Sequence, residues 1–127
     1  MTKAEVFDKA WKLGLKGDFS LVDEIYHFKY QAVHKSIDVE VDIEADKIVI
    51  STYSEFLIFG PFRVIFENQE FLCLERHMRL MEGGEPSYNT GITAITYKDG
   101  KIITQESVLE NVSNPSEGQD WNWEDYE

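Results

Sequence analysis

The stretch 62–109, FRVIFENQEFLCLERHMRLMEGGEPSYNTGITAITYKDGKIITQESVL, decides the fold. Its β-rich runs, 62–66, 71–81, 88–97 and 102–109, are separated by Asn68-Gln69, by Gly83-Gly84-Glu85-Pro86 and by Lys98-Asp99-Gly100-Lys101. Asp-Gly between two apolar runs is a hairpin signal, because both residues tolerate the positive φ that a tight two-residue turn demands. Four consecutive strands joined by short turns read as an antiparallel meander. Within 71–81 the alternation sorts Leu72, Leu74, Arg76, Met78 and Leu80 to one face and Phe71, Cys73, Glu75, His77 and Arg79 to the other. The first set reads as inward, which aims Arg76 into an otherwise apolar lining.

Upstream of the meander the texture is helical. Thr2 and Glu5 form a capping-box pattern, after which Val6, Phe7, Ala10 and Trp11 recur at helical spacing, so a first helix is expected over 3–15. Ser20 starts a second stripe, Leu21, Val22, Ile25, Tyr26 and Tyr30, and predicts a helix ending near Ala32. Strict alternation over 37–44 sets Ile37, Val39, Val41 and Ile43 against Asp38, Glu40, Asp42 and Glu44, the mark of a short half-buried strand. The segment 45–59 is ambiguous. Ile48, Val49, Ile50 and Thr52 favour strand, whereas Val49, Tyr53, Phe56 and Leu57 keep helical spacing up to Gly60-Pro61, and a third helix is the expectation. The whole is an α+β domain over 1–112, followed by an acidic aromatic tail over 113–127 that carries Trp121, Trp123 and Tyr126.

Composition narrows the function classes. With 127 residues, 43% hydrophobic and 13% aromatic, the chain can bury one core. A formal charge of -12 repels phosphate backbones and anionic lipid, so neither nucleic acid nor a membrane is an expected partner. Cys73 is the only cysteine, which excludes an internal disulfide and any multi-cysteine zinc site and makes the cytoplasm the expected compartment. His27, His34 and His77 have no ligand spacing, and the acids along 38–44 spread over about 20 Å of strand, too far to converge on one ion. No metal is expected. Gly-rich phosphate loops, nucleophile elbows and dinucleotide fingerprints are absent, and no cofactor is expected.

The order of helix, helix, short strand, helix and meander resembles the SnoaL-like branch of the nuclear transport factor 2-like superfamily over about residues 4–112. Its local carriers are Leu15-Lys16-Gly17-Asp18, Tyr26-His27 near the end of the second stripe, and Lys98-Asp99-Gly100-Lys101-Ile102. The resemblance implies a cystatin-like cone, in which N-terminal helices pack on a curved, mainly antiparallel sheet around a pocket, and a homodimer formed through the outer sheet face. It also implies any of several activities, among them isomerase, cyclase, dehydratase and epoxide hydrolase, or simple ligand binding, so function must be argued from pocket residues.

Three polar residues are candidates for catalysis. His34 falls where relatives of the ketosteroid-isomerase type place a carboxylate base, and an imidazole titrates near neutrality; the plain alternative is a surface-loop histidine. At the positions where those relatives carry oxyanion-hole donors this chain has Thr93 and Ala10, which puts that mechanism in doubt. Arg76, inward on its strand, needs a carboxylate or a ligand oxygen, and Glu106 is the expected partner; the alternative is a structural ion pair or an arginine reaching solvent. Trp11, Tyr26, Tyr30, Tyr53, Phe56 and Tyr88 are candidate pocket walls, each of which also reads as ordinary core. The expected function is therefore binding of a small apolar metabolite, with cofactor-free proton transfer if it is an enzyme. The competing expectation is a homodimeric interaction module that uses the outer sheet face and the tail.

Overall fold

The computed structural model describes residues 1–34 and 39–127, with only the backbone described for 32–34 and 39–41. Helix α1 (Lys3–Leu15) starts where the sequence places it, with Thr2 and Glu5 exchanging both bonds of a capping box, and it buries Ala4, Phe7, Ala10, Trp11 and Gly14. Helix α2 (Ser20–Ile25) is shorter than expected, and strand β1 (Tyr26–His34) replaces its second half. The reason is arithmetic: Tyr26 and Tyr30 share a face at a spacing of four in either a helix or a strand, and Tyr26, Phe28, Tyr30 and Val33 are β-formers. The expected strand over 37–44 shrinks to β2 (Val39–Val41), while Ile37 and Asp38 lie outside the described residues. Asp42 turns the chain into α3 (Ile43–Tyr53) by accepting a hydrogen bond from the Ala45 amide at 2.9 Å.

The expected third helix exists, but it begins two residues early and stops at Tyr53 instead of running to Phe59. Gly60-Pro61 does not end a helix. It lies inside strand β3 (Leu57–Glu67), where the register against the next strand shifts between Phe59 and Phe62. Proline is tolerated because β3 is an edge strand. The meander continues through β4 (Phe71–Glu82), β5 (Glu85–Lys98) and β6 (Lys101–Val112). Asp99 and Gly100 hold φ values of 55° and 77°, the paired positive values of a type I′ hairpin.

The six strands form one sheet in the order β2-β1-β6-β5-β4-β3, antiparallel except for the β1–β6 pair. Helices lie on one face, and the core between them and the sheet is built from Phe7, Trp11, Val22, Tyr26, Leu72, Leu74, Ile95 and Ile102. This is the α+β fold read from the sequence, in the cone form that the resemblance implies.

After β6 the tail folds back onto the sheet and ends in the 3-10 turn η1 (Trp123–Tyr126). Trp123 is only 4% exposed; its ring occupies the space a Cβ on Gly60 would need, and its indole N–H donates to Asn114 Oδ1 at 3.0 Å. His77 stacks on Trp121, Arg79 reaches Glu127 at 3.1 Å, and Lys12 of α1 lies 5.3 Å from the Tyr126 ring centroid. A buried indole clamped in this way should be costly to remove. Trp123→Ala is expected to lower unfolding stability by about 3 kcal/mol, read as a lower urea midpoint; an unchanged midpoint would mean that the tail contributes no packing energy.

Candidate functional site

Between α1, α3 and the concave face of the sheet lies a cavity of about 360 Å³. Phe7 and Trp11 of α1, Val49 and Ile50 of α3, Phe59 of β3, and Leu74 and Met78 of β4 supply its apolar walls. Its polar groups are Asp46, Arg76, Thr93, Gln105 and Ser107. The inward face read from the 71–81 alternation is thus the one that lines the cavity.

Arg76 is 6% exposed, and its guanidinium carbon sits 4.8 Å from the Phe59 ring centroid and 5.6 Å from that of Phe62. Burial lowers its pKa, and the neighbouring Asp8 carboxylate partly restores it. The Nη2–Oδ1 separation from Asp8 is 2.7 Å, with Lys12 Nζ 3.1 Å from the other carboxylate oxygen. Asp8 thus engages the guanidinium at Nη2, and among the described residues Nη1 has no acceptor.

The expected partner, Glu106, is on the wrong face. It is exposed, while Gln105, Ser107 and Leu109 point inward. A bulge explains this: Tyr97 pairs with Ile102 but Thr96 with Thr104, so Ile103 is an extra residue that reverses the parity of everything after it. Counting by twos from the buried Ile102 leads to Glu106; the bulge moves the inward set to Gln105 and Ser107.

The other candidates separate. Trp11 lines the cavity, whereas Tyr26 and Tyr30 stand behind it and orient what does. The Trp11 indole donates to the Tyr26 hydroxyl at 3.0 Å, which donates to Gln105 Oε1 at 2.7 Å; the Tyr30 hydroxyl donates to Asp46 Oδ2 at 3.1 Å. Thr93 lies in the cavity with its hydroxyl 3.1 Å from that of Ser107, while Ala10 is fully buried and outside the lining. Tyr53 and Phe56 are exposed beyond the lining, and Tyr88 packs on Trp123 with ring centroids 5.8 Å apart. The backbone of His34 pairs with Val39 and Ser107; its imidazole is outside the described side chains.

Asp8 and Asp46 escape a sequence reading built on strand alternation. Asp8 had a signal, because it sits three residues before Trp11 and so borders the apolar stripe of α1. Asp46 had none beyond its place in the first turn of α3.

No protein-family model matches the chain, and no curated protein matches it. Solved structures do. A nuclear transport factor 2-like protein of unknown function from Cytophaga hutchinsonii aligns at 13% identity over 84% of this chain and 97% of its own, with a TM-score of 0.66. The chain has the nuclear transport factor 2-like fold. IdmH, a candidate polyketide cyclase from Streptomyces antibioticus, aligns at 11% identity over 84% and 91% with a TM-score of 0.65. AclR, a candidate hydroxylase from Streptomyces galilaeus, aligns at 15% identity over 86% and 81% with a TM-score of 0.63. Among the described residues no helix is long and apolar enough to cross a membrane.

Burial raises the pKa of Tyr26 and Tyr30 well above the ordinary value near 10. Below pH 10 the phenols are neutral in both folded and unfolded chains. Above it the unfolded chain loses protons that the folded chain keeps, so stability must fall as pH rises from 10. Tyr26→Phe,Tyr30→Phe should flatten that alkaline slope in denaturation measured from pH 8 to 11.5; an unaltered slope would show that other groups carry it.

Proposed function

We propose that this nuclear transport factor 2-like chain binds a small, largely apolar molecule in the cavity between α1, α3 and the sheet. The observation that carries the reading is the lining itself: apolar and aromatic walls with a few polar groups held by second partners, the usual anatomy of a small-molecule site. Tyr26 commits the Gln105 amide oxygen, and Tyr30 anchors Asp46, so these groups meet a ligand already oriented. IdmH bears the name of a candidate polyketide cyclase and AclR that of a candidate hydroxylase, and a pocket in the same fold supports this reading. If the bound molecule is transformed, the proposed chemistry is cofactor-free proton transfer with His34 as base and Arg76 facing the developing oxyanion. Asp8 takes the place of Glu106 in holding the arginine.

The test is to fill the cavity. Thr93→Phe projects a ring from the inward face of β5 into the lining. Wild-type protein screened against apolar acids, ketones, sterols and polyketide-like compounds should show a saturable rise in Tm for at least one class. The variant, folded by circular dichroism, should lose it. Equal shifts in both proteins would place binding elsewhere and end the cavity reading.

A homodimer through the outer sheet face is a compatible second reading, favoured by one row of side chains. Arg63, Glu75, Ile92 and Val108 are successive cross-strand partners over β3, β4, β5 and β6, and Ile92 and Val108 remain 45% and 52% exposed. Two apolar neighbours flanked by an Arg63–Glu75 pair suit a two-fold interface. Wild-type protein should run as a dimer in light scattering, and Ile92→Glu as a monomer with native circular dichroism; a monomeric wild type would remove this reading.

A further inference from the structure

The structure assigns a ligand class to the cavity: we infer that it takes a small, largely apolar carboxylic acid, whose carboxylate is received by Arg76. This rests on the cavity reading above and adds the charge of the occupant.

The charges at the Arg76 end do not balance. Lys12 and Arg76 are two cations on either side of one carboxylate, Asp8, so the group of three carries one excess positive charge. Lys12 is partly in water, where that excess would cost little, but the guanidinium is enclosed by Phe59, Phe62 and the cavity. Asp8 is the acid that acts on it, and it does so at Nη2. Among the described residues Nη1 has no acceptor, in a wall otherwise built from Phe59, Leu74 and Met78.

A neutral carbonyl would supply one acceptor. A carboxylate supplies two oxygens matched to the guanidinium fork, and it also cancels the excess charge in a place of low polarity where that counts most. Among the described residues Asp46 of α3 is the other charged group of the lining, and the Tyr30 hydroxyl donates to it from β1. The acid therefore enters with its carboxylate at β4 and its apolar body along Trp11, Val49 and Ile50.

The measurement is calorimetric titration at pH 7 with matched acid and amide pairs of equal size: 2-naphthoate and 2-naphthamide, cinnamate and cinnamamide, octanoate and octanamide. In at least one pair the acid should bind the wild-type protein about ten-fold or more tightly than its amide. Arg76→Met should bring that ratio to about one. Asp8→Asn, which removes the carboxylate paired with the guanidinium, should widen the ratio several-fold, and it settles the matter if Arg76→Met fails to fold.

The failures are distinct. If acids and amides bind equally, or if Asp8→Asn narrows the ratio, the carboxylate assignment is wrong and the cavity reading stands. If the acid preference survives in Arg76→Met, the carboxylate is read by another group and the assignment is again wrong. If no member of any pair binds, the cavity reading falls and takes this inference with it.

Discussion

One buried guanidinium organises the concave side of this molecule. A charge of that size is expensive to remove from water, by several kcal/mol even after relaxation, unless other groups compensate it. Arg76 finds compensation from two directions: the Asp8 carboxylate on α1, and the ring faces of Phe59 and Phe62 on β3. Those contacts tie the first helix to the centre of the sheet and bring the edge strand over the same point. The cavity opens beside them because α3, which buries none of its side chains fully, covers the site without filling it.

What the sequence made legible was local and periodic. The meander could be read because each turn carries its own chemistry, Asp99-Gly100 above all, and because strand β4 keeps perfect alternation from Leu72 to Met78. Alternation is a parity argument, however, and one inserted residue reverses it. In β4 nothing is inserted and Arg76 is where it was expected. In β6 the extra Ile103 exchanges Glu106 for Gln105 and Ser107 at the cavity wall. Nothing in the composition of Lys101-Ile102-Ile103-Thr104 announces a bulge, since all four residues suit a regular strand.

The second misreading has a different origin. Between Ile25 and Tyr30 the helical and strand periods agree at a spacing of four, so periodicity alone cannot arbitrate. Tertiary structure decides: β1 joins β6 as a parallel partner, which places Tyr26 opposite Ile102 and sends both tyrosine hydroxyls toward the cavity polar groups. Asp8 was the partner most accessible to inference and was still missed, because a strand-based search looks for Arg76's carboxylate within the sheet, whereas it comes from a helix 68 positions earlier in the chain.

The C-terminal residues explain how one sheet can serve two surfaces. Trp121 and Trp123 cover the end of the outer face around His77, Arg79 and Tyr88, and Tyr126 reaches α1 at Lys12, the same lysine that holds Asp8. The tail thus occupies one end of the convex side and touches the charge group behind the concave one. Arg63, Ile92 and Val108 of the outer row remain exposed among the described residues. Side chains alternate across a strand, so a change at Ile92 alters the outer face and a change at Thr93 alters the cavity. The proposed association and the proposed ligand binding therefore use different residues, although both faces depend on the register that the Ile103 bulge sets.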